Sequence, residues 1–275
     1  MRYEEKKPSV ELDPYIKCFW YLDREYTEYD NGEVLWPDGC YEILFHFGSR
    51  YKVHNQSMDT SFLIGSLTHY HRLTANGNIR LFGARLKPWG LKFLLDADLK
   101  ELKDKFVPLN TLFNKRKIET IENELRDLEL EEGIILLQKF LLESFSQSQH
   151  LNKDFIQVLT ELYESPVQRD IQTFVSMSNY SQRQFERKVI ELTGLSPKKL
   201  SKVARFNQVR LKMFFNPEID LYDCMEEFGY YDYAHFSKDF KECIGLTPNE
   251  YKNWMLEKRS RGQNEQKNVV FLQEE

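Results

Sequence analysis

The sequence predicts an α+β chain in two parts. The amino-terminal part reads as a β-rich sandwich or partial barrel with trailing helices. The carboxy-terminal part reads as an all-α domain of seven helices with two helix-turn-helix units. Three observations predict this. Up to about Pro88, apolar residues come in short aromatic and β-branched runs broken by Asn, Asp, Gly and Pro. Beyond Pro88 the apolar spacing changes to three and four. In the last third, Phe185, Glu191, Gly194, Leu195, Ser196 and Pro197 recur 51 positions on as Phe236, Glu242, Gly245, Leu246, Thr247 and Pro248, an internal duplication.

Tyr15 to Tyr21, Cys40 to Phe47 (CYEILFHF), Ser61 to Thr68 (SFLIGSLT) and Ile79 to Leu86 (IRLFGARL) carry strand character. Turn signals separate them at Asp30-Asn31-Gly32, Pro37-Asp38-Gly39, Gly48-Ser49 and Asn76-Gly77-Asn78. Leu91, Leu94, Leu95, Leu99 and Leu102 then share a helical face. Two amphipathic helices follow around Lys117 to Leu128 and Ile134 to Phe145, divided near Gly133. The polar stretch Ser146 to Asn152 reads as the linker, so domains are expected at 1–147 and 152–258, with a tail at 259–275. Helices are predicted at Asp154 to Glu164, Asp170 to Met177, Ser181 to Leu192, Pro197 to Phe215, Leu221 to Phe228, Asp232 to Cys243 and Pro248 to Glu257. Only Val269-Val270-Phe271-Leu272 interrupts the polar tail, and it reads equally as a cluster able to dock on the body and as part of a loose tail.

Length and composition fit two folded cores: 275 residues, 41% apolar and 14% aromatic. No apolar run approaches the ~20 residues of a membrane span, so no membrane partner is expected. Met1 to Pro8 is charged and shows no signal-peptide core, which points to the cytoplasm. Cys18, Cys40, Cys224 and Cys243 lack Cys-x-x-Cys spacing and read as buried thiols in a reducing compartment. Nothing in the sequence calls for a cofactor.

A net charge of −5 hides strong local fields. Ser181 to Lys212 holds nine basic residues against two acidic ones, whereas Met213 to Glu257 holds three against ten. Phosphate attraction is therefore expected from the first unit and the linking helix, with Lys202 and Arg205 as candidate phosphate contacts.

Each copy of the duplication is punctuated as a helix-turn-helix: a cap (Ser181, Asp232), a helix anchored by Phe, a terminal Gly, then Ser/Thr-Pro. With Phe185 as origin, Val189 and Leu192 fall within about 40° and form a buried stripe, while Arg183 and Arg187 project about 160° away. Glu186 lies between the faces, with Gln182 at the start. Arg for guanine and Glu for cytosine suit a helix entering a major groove. A solvated charged face is the commoner reason for such residues, but the duplication and cap favour double-stranded DNA. The second helix buries Phe236, Phe240 and Cys243 and shows Ala234, Ser237, Lys238 and Lys241, with Tyr233 and His235 flanking. That surface suits thymine methyls and phosphates. His235, beside two aromatics, reads as a packing or polar-contact residue without a catalytic role.

These residues resemble the DNA-binding domain of the AraC/XylS family of bacterial transcription regulators. The family pattern appears as Gly229-Tyr230, His235-Phe236-Ser237-Lys238, Phe240-Lys241 and Gly245-Leu246-Thr247-Pro248-Asn249-Glu250-Tyr251. The first unit matches through Ser181, Arg183-Gln184, Phe185 and Gly194-x-Ser-Pro, with Asn179 where a turn Gly is usual. The resemblance implies two subdomains joined by the helix Pro197 to Phe215, and recognition helices Ser181 to Leu192 and Asp232 to Cys243. The amino-terminal region resembles the β-rich sensor module of one branch of these regulators, through Trp36-Pro37-Asp38-Gly39, Glu42-Ile43-Leu44-Phe45 and Phe82-Gly83-Ala84-Arg85-x-x-Pro88-x-Gly90.

In the amino-terminal part, Glu42, His46 and Arg85 are candidate contacts for a small-molecule effector; Arg85 reads equally as an edge-exposed residue. His69-Tyr70-His71 places two imidazoles on one strand face, as a metal site would, but no Glu follows before Gly77, so a surface strand is the favoured reading over a metal site and no metal ligand is assigned. The leading reading is a sequence-specific, ligand-modulated DNA-binding regulator without enzymatic activity. RNA polymerase and a second copy of the chain are further partners open to it. An enzyme with a DNA-binding appendage, such as an alkyl-transfer repair protein, lacks its Pro-Cys-His nucleophile here. A pure protein-interaction module is disfavoured by Arg183 and Arg187.

Overall fold

The computed structural model describes residues 1–27, 33–53, 56–58, 61–145, 152–167 and 169–260. Residues 146–151 of the expected linker, the turn at 30–32 and the tail cluster Val269 to Leu272 lie outside the described residues.

The amino-terminal part contains β1 (Arg2–Lys6), β2 (Ile16–Tyr26), β3 (Glu33–Leu35), β4 (Tyr41–Gly48), β5 (Lys52–Val53), β6 (Gln56–Ser57), β7 (Phe62–Ile64), β8 (His71–Thr74), β9 (Gly77–Leu86) and β10 (Phe106–Pro108). They form an antiparallel six-stranded sheet, β1-β2-β9-β4-β7-β10, and a smaller antiparallel one, β3-β8-β5-β6. The two sheets pack as a sandwich that does not close into a barrel. Strand alternation explains why both faces of the large sheet are apolar. Phe19 and Tyr21 of β2 join Ile43, Phe45, Phe82 and the trailing helices on one face. Cys18, Trp20 and Leu22 join Leu44, Phe62 and Ile64 against Leu35, Val53 and Leu73 of the small sheet on the other.

The trailing helices depart from expectation. The Leu91 to Leu102 periodicity gives two 3-10 turns, Gly90–Phe93 and Leu99–Leu102, because Asp98 caps the second by accepting from the Lys100 amide. After α1 (Leu109–Leu112) come α2 (Lys115–Leu125) and α3 (Leu130–Ser144). Gly133 divides nothing: it lies inside α3, where a Cβ would collide with the Phe82 ring. It marks the closest approach of helix to sheet. The terminal strand residues Arg2–Lys6 escaped the sequence reading because β1 is a charged, partly exposed edge strand without apolar alternation.

Among the described residues the second part holds seven helices, α4 (Lys153–Glu164), α5 (Ile171–Met177), α6 (Gln182–Thr193), α7 (Pro197–Phe215), α8 (Leu221–Glu227), α9 (Tyr233–Ile244) and α10 (Pro248–Ser260), within one or two residues of expectation apart from the longer α10. Asn179 takes φ +57, the left-handed turn expected of it, and Gly194 ends α6 at φ +70.

The two parts share a core. Cys40, Trp89 and Phe93 from the first pack with Phe155, Leu159, Leu162, Phe174, Phe185 and Leu200 from the second. The Tyr41 hydroxyl donates to the Thr193 carbonyl at 2.9 Å, and a Cβ on Gly194 would lie 2.7 Å from the Leu99 carbonyl oxygen. Trp36 meets Tyr251 edge-on at 6.3 Å. Separating the halves would expose Trp89 and Phe93, side chains that stabilise by about 1.5–3 kcal/mol each when buried. Proteolysis between residues 145 and 152 is therefore expected to leave two fragments that co-elute by native size exclusion, and independent elution would count against the shared core.

Candidate nucleic-acid interface

Ser181 and Gln184 form a reciprocal capping box at the start of α6, satisfying two backbone donors and fixing where the helix begins. Phe185 and Val189 are buried as expected, joined by Thr193, while Leu192 is half-buried. Gln182, Arg183, Glu186 and Arg187 are exposed, and Gln182 donates to Glu186 at 3.2 Å. Among the described residues Arg183 and Arg187 make no ion pair. The carboxy-terminal end of α6 rests on the first part through Thr193 and Gly194, so its amino-terminal half stays open.

In α9, Asp232 accepts from the His235 amide at 2.7 Å, and Phe236, Phe240 and Cys243 point inward. Phe240 meets Phe206 of α7 at 5.2 Å. Ala234, Lys238 and Lys241 are exposed, whereas Ser237 is half-buried. Tyr233 is half-buried against Tyr222 at 5.6 Å. His235 packs on Tyr230 with Nε2 3.6 Å from Asp239.

The cations of α7 meet carboxylates of α8 and α9. Lys202 Nζ lies 2.8 Å from both Asp239 and Glu242, and Arg205 Nη2 is 3.1 Å from Asp239 with its guanidinium 4.1 Å over the Tyr230 ring. Lys199 pairs with Glu242 and Lys212 with Glu227. Opposite local charges, separated along the chain, thus meet across α7 and α9, and Lys202 and Arg205 are engaged in tying the subdomains together. Burial opposes it, but Asp239 and Glu242 hold the Lys202 ammonium above its ordinary range. Asp239 is buried beneath both cations. Asp239→Asn weakens two charge-assisted bonds and is expected to cost about 1.5–3 kcal/mol of stability in chemical denaturation. A loss below about 0.5 kcal/mol would leave Lys202 and Arg205 as solvent-directed groups.

Two of the three effector candidates come together. Glu42 and Arg85 are direct cross-strand partners of β4 and β9, so they share a face, and Arg85 Nε donates to Glu42 Oε1 at 2.7 Å. Arg85 is 1% exposed, which removes the edge-exposed reading. They line a narrow cleft with Trp36, Asp38, Cys40, Asn207 and Arg210, between the sandwich and α7. The free space of about 440 Å³ includes the solvent at its open mouth, and the enclosed part is narrow. Burial pushes the Glu42 carboxyl up, an effect that Arg85 opposes and Asp38 reinforces. Glu42 Oε2 and Arg210 Nη1 are buried without a hydrogen-bond partner among the described residues. His46 lies elsewhere, between Tyr51 and Phe62, and its burial lowers its affinity for a proton. Sequence reasoning missed Asp38 and Arg210: the first read as a turn residue, the second as one more helix cation.

All four cysteines are free and buried, and burial pushes each thiol up to about 12, so none has the lowered range of a nucleophile. No described helix is long and apolar enough to cross a membrane.

Residues 175–253 match a helix-turn-helix domain family, and residues 4–108 match a domain family of unknown function, DUF6597. No curated protein matches the chain. Among solved structures, ToxT from Vibrio cholerae is similar at 15% identity over 86% of this chain and 98% of that one, with a TM-score of 0.44. A ToxT from Vibrio cholerae with bound unsaturated fatty acid is similar at 17% identity over 92% and 97%, with a TM-score of 0.43. The carboxy-terminal part of the chain is an AraC-type helix-turn-helix domain, joined to an amino-terminal domain of the DUF6597 family.

Proposed function

We propose that this chain is a sequence-specific DNA-binding transcriptional regulator whose DNA affinity is set by a small molecule in the junction cleft. One observation carries the first part: two capped helices, α6 and α9, present exposed polar faces and are held by the 19-residue α7. That helix spans about 28 Å, close to the ~34 Å of one B-DNA turn. Gln182, Arg183, Glu186 and Arg187 are the base readers of the first unit, and Tyr233, Ala234, Ser237 and Lys238 form the reading surface of the second. Selection of bound fragments from random DNA tests it. A single enriched motif, bound at least about 10³-fold tighter than unrelated duplex, is expected; uniform weak binding to all sequences would overturn it.

The cleft supports the regulatory part because Glu42 and Arg85 belong to the sandwich while Asn207 and Arg210 belong to α7. An occupant offering an acceptor to Arg210 and a donor to Glu42 would bind both parts at once and bias the placement of α7. A metabolite screen by thermal shift, repeated with Arg210→Met, tests this. A hit that stabilises the native chain, changes DNA affinity and loses both effects in the variant supports the reading. A hit unaffected by Arg210→Met, or the lack of any hit, refutes the cleft as the control site.

A further inference from the structure

Outside both the DNA-reading helices and the cleft, three metal-ligating side chains converge. His69 lies in the bend before β8, His71 opens that strand, and Asp104 follows the second 3-10 turn. One ligand atom from each lies within 4.8 Å of the others, and His69 Nδ1 is 3.5 Å from Asp104 Oδ1. The imidazole centroids are 4.5 Å apart. We infer that His69, His71 and Asp104 form a binding site for a divalent transition-metal ion, with water completing the shell on the exposed His69 side.

Three features make this more than a chance meeting of side chains. Two imidazoles and one carboxylate are the donor set that zinc and other first-row divalent ions prefer. The carboxylate is already oriented: Asp104 Oδ1 accepts from the Thr68 amide at 2.6 Å and Oδ2 from the Thr68 hydroxyl at 2.8 Å, the outer-shell support that metal-ligating carboxylates require. Asp104 also holds φ +55, a left-handed backbone unusual for a non-glycine residue, which directs its side chain from one loop toward the other. His71 is buried and His69 half exposed, giving a site anchored on one side and open on the other. Spacing along the chain could not supply the third ligand, because Asp104 arrives from a loop thirty-three residues beyond His71.

The position gives the ion a structural consequence. Tyr70, between the two histidines, lies against Gly245 at the end of α9, where a Cβ would sit 2.6 Å from its ring. A bound ion would fix both neighbours of Tyr70 and so firm the seat of the second helix-turn-helix unit.

The test uses tag-free full-length protein stripped with chelator and titrated with Zn²⁺ against a chromophoric indicator. One equivalent per chain is expected to compete with the indicator. His69→Gln, at an exposed position, and Asp104→Asn, which tolerates a left-handed backbone, are each expected to weaken uptake at least about tenfold with unchanged circular dichroism. Thr68→Val is expected to weaken it by roughly 10–100-fold through the lost support. Failure of the native chain to compete, or equal uptake by the native chain and both ligand variants, would overturn the site.

Discussion

Replacing Arg85 by Met is expected to destabilise the protein by about 3–5 kcal/mol, because it leaves Glu42 buried without its cation. Arg85 is 1% exposed and Glu42 8%, so water cannot take over the pairing. The loss carries a pH signature with a definite sign. Burial already raises the Glu42 carboxyl, and losing Arg85 raises it further. A carboxyl raised on folding costs stability when ionised, above its folded value, and that cost disappears as pH falls and the group takes a proton. The deficit of Arg85→Met should therefore be full at neutral pH and shrink as pH is lowered toward the ordinary carboxylate range of about 4. Pairing the change with Glu42→Leu removes the orphaned charge and should recover most of the loss. Denaturant titrations of the native chain and three variants at two pH values check this. A deficit that is independent of pH and unrelieved in the double variant would mean that packing, and not charge, holds the cleft together.

The second large effect concerns DNA. Arg183→Ala and Arg187→Ala each remove an exposed guanidinium to which the proposed function assigns a bidentate base contact, and each should cost about 1–3 kcal/mol on the selected site and relax preference at one base pair. Lys238→Ala should cost less, because the second reading surface carries fewer cations. Lys202→Ala and Arg205→Ala should act through stability and the placement of α9, since both side chains already hold Asp239. Fluorescence anisotropy at fixed salt, with matched denaturation curves, separates these effects. Equal losses for Arg187→Ala and Lys238→Ala would show the two units sharing the reading evenly.

The helical part was legible in the sequence because its signals are local. Ser181, Asp232, Gly194, Gly245, Pro197 and Pro248 act within one turn of their own positions and fix helix ends with little outside help. The strands were legible only where both faces are apolar, as in β4 and β9; charged β1 and the two- to four-residue strands of the small sheet carry too little pattern. Gly133 was misread because a helix breaker and a close helix–sheet contact look alike in sequence, and only the Phe82 ring distinguishes them. The cleft was half legible. Glu42 and Arg85 stand out as charges inside apolar strands, but their meeting with Arg210 depends on how α7 packs on the sandwich, which no local pattern encodes. Lys202 and Arg205 show the same limit, since their carboxylate partners come from another helix 34 to 40 positions away.

In the proposed function α6 and α9 read neighbouring stretches of one DNA duplex. Hydroxyl-radical footprinting of the full-length protein on its selected site measures this most directly. Two protected patches on one face of the duplex, about 10 base pairs apart centre to centre, are the expected result, with the patch assigned to α6 lost in Arg183→Ala/Arg187→Ala. A single patch, or protection that spreads evenly along any sequence, would mean that the two helices do not read one site together.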